Sequence, residues 1–370
     1  MNDAFPATIG KLGHRELLAL LVAAIDARVF LGLPRVMAKI GGTAGWLAVT
    51  FAFLAAMAGY LILEALLGRF PGRDLITITR EVAGGIPAGI LGAFFFLFFL
   101  ATASLVARQF AETFVIGILP RTPIGVITGL LMALLVLAGY YGLEAISRLA
   151  MLIGPYILLV LLVIFVAVMP NANPLFLAPI AGNGFGGILL PSFAKSAVFA
   201  EIVLLGLYAP ALREPDKRRQ VGILALTAAY LIMLANIATF TLIFDYPGLT
   251  RILFPIYQLT RLVSFMEFFQ RVEAVFVFLW FFTAAIAISA VFFGAAYIFA
   301  RLFRLRSHRP LLFPLAVLAF TASLMPASFA EAVRLDVDVM RLYGSIPVFG
   351  LPGLVLLLAL LRGKKGAPAR

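Results

Sequence analysis

The chain has 370 residues, 63% of them hydrophobic and 12% charged, with a mean hydropathy of +1.09. Soluble domains run at roughly 45–50% apolar and about 25% charged, so a soluble enzyme, a disordered chain and a nucleic-acid-binding domain are excluded. The net charge is +12, but the basic residues sit in short loops between apolar runs, where they report membrane topology rather than nucleic-acid binding. There is no cysteine, so disulfides and thiolate metal sites are excluded. His14 and His308, both in basic loops, offer no histidine-based zinc site.

About 20 apolar residues are needed for a helix to cross a bilayer. Ten runs qualify, at 16–40, 44–67, 86–118, 123–142, 146–169, 187–210, 221–244, 272–300, 311–329 and 346–362. The first is not a cleaved signal peptide, because it carries Asp26 and Arg28 and no small-residue cleavage site follows. The reading is a single all-α integral membrane domain over residues 1–370. Two of the outer connections are unusual. Residues 170–186 are uncharged and rich in Pro, Asn and Gly. Residues 245–270 are amphipathic and read either as an interfacial helix or as an ordinary capping loop.

Lys and Arg set the orientation. With a cytoplasmic N-terminus, the inner segments hold more than twice as many basic residues as the outer ones, among which Arg334 and Arg341 are counted. Both termini are then cytoplasmic, which an even number of spans requires.

Ionisable residues inside spans are functional-site hypotheses by default. The first span carries Asp26 and Arg28, followed by Gly32 and Pro34, which should break the helix. Residues at i and i+2 do not share a helix face, so this is not a simple local pair. The sixth span carries Pro191, Ser192, Lys195, Ser196 and Glu201. Lys195 either exchanges protons as a buried lysine or snorkels outward. Ser192 and Lys195 match an S-x-x-K pattern, but its companion motifs are missing. Arg108 with Glu112, and Glu144 with Arg148, have the i, i+4 spacing of self-neutralising pairs. Glu64 is expected at the solvated inner end of the second span. No nucleotide, zinc-protease or hydrolase motif is present, and no enzyme activity, cofactor or metal is expected.

The first and sixth spans hold corresponding places in two sets of five, and both combine charge with Gly/Pro interruption. A matched pair of interrupted spans points to a transporter-type site at the repeat interface. The repeats fall at about 16–169 and 187–362.

Short motifs in order give the chain a family resemblance. They are Arg69-Phe-Pro-Gly-Arg-Asp-Leu75, Leu119-Pro-Arg-Thr-Pro-Ile124, Gly142-Leu-Glu-Ala-Ile-Ser-Arg148, and Asn173-Pro-Leu-Phe-Leu-Ala-Pro179. Further along come Phe254-Pro-Ile-Tyr-Gln-Leu-Thr-Arg261, Gln270-Arg-Val-Glu-Ala274 with Trp280, and Arg309-Pro-Leu-Leu-Phe-Pro314. Together these resemble the spore germination permease-like family, the B subunits of endospore germinant receptors within the amino acid–polyamine–organocation superfamily.

The resemblance implies a five-plus-five inverted repeat of LeuT-like fold with discontinuous first and sixth helices. It implies recognition of an amino acid or similar nutrient, assembly with other germinant receptor subunits, and residence in a bacterial cell membrane or spore inner membrane. The alternative within the superfamily is a proton-coupled amino acid transporter, with Lys195 or Glu201 carrying the proton; a scaffold subunit with an empty pocket is a third reading. The implied substrate-binding set is Asp26, Arg28, Phe30, Ser192, Lys195, Ser196 and Glu201. The chain departs from the family at Asp26-Ala-Arg-Val-Phe30, where a Gly-rich break is usual, and at Val198-Phe-Ala200, where a Pro/Gly break usually precedes the acidic residue. Arg28 is expected to face Glu201, with Asp26 or Lys195 completing a charge cluster.

Overall fold

The computed structural model describes residues 10–27, 29, 31–252, 258, 259, 262 and 272–366. It is helical throughout the described residues, apart from an isolated bridge between Leu12 and Leu212. Eight helical tracts among these residues are long and apolar enough to cross a membrane. The helices form a single bundle built on the expected ten runs.

The first run is interrupted as Gly32 and Pro34 require. Helix α1 (His14–Asp26) stops, and α2 (Leu33–Gly41) restarts with Pro34 in its first turn, where the missing N–H costs nothing. The second span is α3 (Gly45–Arg69). A short inner helix, α4 (Leu75–Ala83), is capped by the Asp74 carboxylate accepting from the Thr77 N–H. It hands over to the long third span, α5 (Gly85–Gly117), at Gly84, whose φ of +100° suits glycine. Helices α6 (Ile124–Tyr141) and α7 (Leu143–Val168) meet in the same way at Gly142, with φ +89°.

The uncharged outer segment folds into two 3₁₀ turns, Met169–Asn171 and Pro174–Leu177. It docks on the end of α2, where the Asn183 side chain donates to the Ile40 carbonyl at 2.9 Å. The sixth span is broken into α8 (Phe185–Ala194), a 3₁₀ stretch Ser196–Val203 and α9 (Leu204–Tyr208). The seventh is α10 (Arg218–Ile243), followed by a single turn, α11 (Tyr246–Leu249). Most of the expected interfacial helix at 245–270 lies outside the described residues.

Helix α12 (Val272–Leu302) forms the eighth span and packs most closely on α5, with Phe110 stacked edge-on to Trp280 at 4.7 Å. Helix α13 (Arg309–Leu324) is the ninth. The tenth begins earlier than its apolar run suggests. It comprises α14 (Phe329–Val333), a π-helical turn Arg334–Met340 and α15 (Arg341–Leu361). Arg334 and Arg341, read as outer-loop residues, therefore belong to a helix. Arg341 is fully buried.

The basic loops gather at one end of the bundle and bind each other there. Arg301 donates to the Asp74 carboxylate at 2.7 Å, Arg362 donates to the Val82 carbonyl at 2.6 Å, and Arg69 donates to the Lys364 carbonyl at 3.1 Å. Arg218 grips the Glu64 carboxylate with two bonds at 2.8 and 3.0 Å. Glu64 is thus paired and largely buried rather than solvated, because the inner ends of α3 and α10 close over it.

Candidate functional site

Helix α1 ends at Asp26, in the apolar middle of the chain's first span. Asp26 is 7% exposed, and among the described residues neither carboxylate oxygen has a hydrogen-bond partner. An unpaired buried carboxylate is costly, so a chain that keeps one has a use for it. The backbone turns directly after it, with the Val29 N–H donating to the Asp26 carbonyl at 3.0 Å. Gly32 permits a close approach: a Cβ there would lie 2.7 Å from Val333 on the tenth span. Arg28 and Phe30 lie outside the described residues.

The sixth-span break has a different character. Glu201 is fully buried and accepts from Arg341 Nη2 at 3.0 Å. The same guanidinium donates through Nε to Asp336 at 3.2 Å, through Nη1 to the Ala197 carbonyl at 2.9 Å, and through Nη2 to Thr102 at 3.2 Å. Gln109 donates to the other Asp336 oxygen at 3.2 Å, and Arg341 lies 5.0 Å from the Phe98 ring centroid. The planar fork of arginine suits this many directed contacts. Lys195 donates to the Val337 carbonyl at 2.7 Å and to Asp338 at 2.8 Å. Ser345 links the same elements, accepting from the Ala197 N–H at 3.0 Å and donating to the Ala194 carbonyl at 2.8 Å.

These contacts also explain why the helix opens at Val198-Phe-Ala200 without Pro or Gly. The loosened backbone groups of Ala194 and Ala197 find partners on the tenth span, which offsets the cost of leaving the helix. The sixth-span break is thus held by tertiary hydrogen bonds.

Among the described residues, then, Arg341 is a partner of Glu201, and Lys195 is bound by Asp338; the expected contact of Glu201 with Arg28 lies outside the described residues. No hydrogen bond brings Asp26 into a cluster with Lys195. Ser192 and Ser196 are buried beside the break, and Ser192 donates to the Ile188 carbonyl at 2.6 Å within its own helix. Sequence reasoning missed Arg341 and Asp336. Nothing in their local spacing marks them, since a rare π turn has no sequence signature here. The pair Arg108–Glu112 forms at 2.9 Å as the spacing predicts, and Glu112 also accepts from the Phe329 N–H. Glu144 and Arg148 pair likewise.

Beside α1 lies a cavity of about 310 Å³. Its walls come from α1, α7, α10 and α12, and are mostly apolar, with Asp26, Arg15, Thr283 and the Trp280 indole as the polar members. Asp26 lines it toward the helix break and Arg15 toward the inner face; Leu18, Val22, Leu161 and Ile232 lie between. Past Asp26, residues Ala24, Ala27, Thr102 and Val291 close up and leave no water-sized space. Among the described residues no group of three or more His, Asp or Glu side chains could hold a metal ion.

The inner mouth is clamped. Leu12 pairs with the chain after the sixth span, its N–H donating to the Ala211 carbonyl at 2.8 Å. His14 meets Glu214 at 2.5 Å, Arg148 reaches Glu16 at 3.5 Å, and Arg213 reaches Glu144 at 3.8 Å. Glu214 is held below the usual carboxylate value by its hydrogen bond to Lys217, with His14 adding to the effect against a little desolvation.

Comparison with known proteins follows this geometry. The family described as "Spore germination protein" matches residues 11–330. Spore germination protein KB of Bacillus subtilis (strain 168) is 23% identical over 320 residues, covering 84% of each chain. Spore germination protein B2 of the same organism is 22% identical over 228 residues, 60% of this chain and 62% of that one. Among solved structures, MhsT in complex with L-phenylalanine superposes with a TM-score of 0.69 at 15% identity, covering 95% of this chain and 89% of that chain. A Na⁺-coupled sialic acid symporter gives 0.65 at 11% identity, over 96% and 81%. Mhp1, a nucleobase-cation-symport-1 family transporter, gives 0.60 at 15% identity, over 92% and 80%. At these identities the structural likenesses establish the fold.

Proposed function

Because this chain belongs to the spore germination protein family, we propose that it is the membrane-embedded recognition subunit of a spore germinant receptor, binding an amino acid or similar small nutrient at the interrupted first and sixth spans. The coarser statement, a multi-pass membrane protein of the nutrient receptor and permease type, follows from the family and the bundle themselves. The single observation that carries the finer reading is Asp26, a buried carboxylate without a hydrogen-bond partner at the break of the first span. It is the group to which a ligand ammonium would bind, and Arg28, two residues on, would receive a carboxylate. In this reading Lys195, Ser192, Ser196 and Glu201 would supply the sixth-span side of the site; Glu201 and Lys195 are bonded to the tenth span.

A ligand that binds one conformation better shifts the equilibrium toward it by its differential affinity. In a receptor that shift is passed to the other receptor subunits; in a transporter it alternates access. The basic inner face supports cytoplasmic termini, and the two breaks, at the same ordinal place in each set of five spans, support repeats at about 16–169 and 187–362.

The test is a panel of amino acids against the purified chain, read as thermal stabilisation, since a ligand of the folded state must raise its stability. Stabilisation lost in Asp26→Ala and in Arg28→Ala supports a live site at the break. No stabilisation by any amino acid, with or without the partner subunits, would overturn the reading. A second reading, as a proton-coupled transporter, is supported by the buried ionisable residues Lys195 and Glu201 of the sixth span. Uptake by this chain alone in proteoliposomes, abolished by collapsing the pH gradient, would select it.

A further inference from the structure

The cavity beside α1 has features that an amino acid site at the helix break does not require. First, it opens sideways. Helices α7 and α10 each pack along α1 but barely touch one another. Between them Leu18 and Val22 of α1 are only half-buried, and on the α7 rim Met151 and Leu158 are 44% and 46% exposed. This flank belongs to the apolar, bilayer-facing part of the bundle. Second, the cavity carries opposite charges at two places along α1. Asp26 and Arg15 stand eleven residues apart on α1, about 16 Å of helix axis, and the rest of the lining is apolar apart from Thr283 and the Trp280 indole. Third, Asp26 is nine-tenths buried with both oxygens unpartnered. Fourth, 310 Å³ lies at the lower edge of small-molecule sites, which run from about 300 to 1,000 Å³.

We infer that this cavity is a binding site for primary ammonium compounds with a bulky apolar body, entered from the bilayer between α7 and α10, with the ammonium on Asp26 and the apolar body along α1. The inference rests on Asp26 as the ligand's anchor and deepens that reading by naming the class of ligand. A cation is required because a buried carboxylate in apolar surroundings is satisfied only by a charged or strongly donating partner. An apolar body is required because polar substituents would be stranded against Leu18, Val22, Leu161 and Ile232. A lipid acyl chain would fit the walls but leave Asp26 unsatisfied. A free α-carboxylate adds nothing within this lining, since Arg15 is too far along α1 to reach it.

The experiment uses the full chain in lipid nanodiscs, so that detergent does not fill the cavity, and reads the unfolding temperature against four probes: 2-phenylethylamine, 2-phenylethanol, L-phenylalanine and glycine. Concentration-dependent stabilisation by 2-phenylethylamine, absent with 2-phenylethanol, is expected. Asp26→Asn should weaken the amine's apparent affinity by at least about tenfold, the loss of one charge-assisted hydrogen bond. Should that variant fold poorly, Ala228→Phe, which fills the α10 wall away from Asp26, should abolish the amine response and leave any response to glycine intact. If 2-phenylethanol stabilises as well as the amine, or the amine acts equally on Asp26→Asn, the inference is overturned. Asp26-dependent stabilisation by glycine without any by 2-phenylethylamine overturns the inference and leaves the amino acid reading standing. Stabilisation by 2-phenylethylamine that neither glycine nor L-phenylalanine matches supports the inference, stabilisation by L-phenylalanine equal to that by the amine overturns it, and silence from all four probes overturns it outright.

Discussion

Arg341 and Glu201 meet at 3.0 Å with neither side chain exposed at all. Asp336, also fully buried, holds the other side of the same guanidinium. Removing one member of a buried ion group leaves its partners charged and unsatisfied, at a cost of about 3–5 kcal/mol. Arg341→Met is therefore expected to lower the folded yield and the unfolding temperature severely. In a cycle of Glu201→Gln and Arg341→Gln, the double variant should lose clearly less than the sum of the singles. Simple additivity, measured by thermal unfolding in nanodiscs, would show that the two do not act as a unit.

Helix packing on α3 makes a second prediction. A Cβ at Gly59 would fall on the Phe349 ring of α15, and one at Gly222 on the buried Tyr60. Gly59→Ala and Gly222→Ala should each destabilise by about 1–3 kcal/mol through overpacking. By contrast, Gly89→Ala on α5, with nothing within 4 Å, should be neutral or slightly stabilising. Thermal unfolding of the three variants side by side checks the contrast.

His308, at the start of α13, supplies a pH dependence. Burial pushes its pKa down from the ordinary value, and Arg309 adds to this against the opposing hydrogen bond to the Gly139 carbonyl. A depressed histidine means that the unfolded chain binds the proton first. The contribution to stability is thus present above about pH 6.5 and is lost as the pH falls through the folded-state value. The unfolding temperature should fall between pH 7 and pH 5 more steeply in the native chain than in His308→Gln. Equal slopes would remove His308 from the account.

The absence of cysteine makes topology directly measurable. Single cysteines at Arg306, in the loop after the eighth span, and at Ala181, in the uncharged segment after the fifth, are both at exposed positions. With cytoplasmic termini, Ala181→Cys should react with an impermeant maleimide in intact cells, and Arg306→Cys only after permeabilisation. The reverse pattern would invert the bundle.

Much of this architecture was legible in the chain. The long apolar runs fix the spans because bilayer thickness demands them, and Gly32 with Pro34 marks the first break because neither residue favours a helix interior. The fold of 330–345 was not legible. Arg334, Asp336, Asp338 and Arg341 read as a polar outer loop, yet they lie on a π turn and the helix that follows it, where Asp336 and Arg341 face buried partners on the third and sixth spans. Charge counting cannot tell a solvated arginine from one satisfied inside a bundle. In the same way, Val198-Phe-Ala200 has no residue that breaks a helix. The break there depends on Arg341 and Ser345, some 140 residues away, and local propensity is silent about partners that distant. Asp26 was singled out correctly as a buried charge. Its lack of a partner could be known only from what surrounds it.

The contacts around Ala197 also set the mechanics of the bundle. Lys195, Ala194, Ala197 and Glu201 are each fastened to the tenth span, so these two spans turn together as one lever, and prising them apart would strand charges and carbonyls in hydrocarbon. The first span has no comparable weld at Asp26. The apparent symmetry of two bent members therefore hides a difference: among the described residues the sixth-span bend is tied to the tenth span, whereas the Asp26 carboxylate at the first-span bend is tied to nothing.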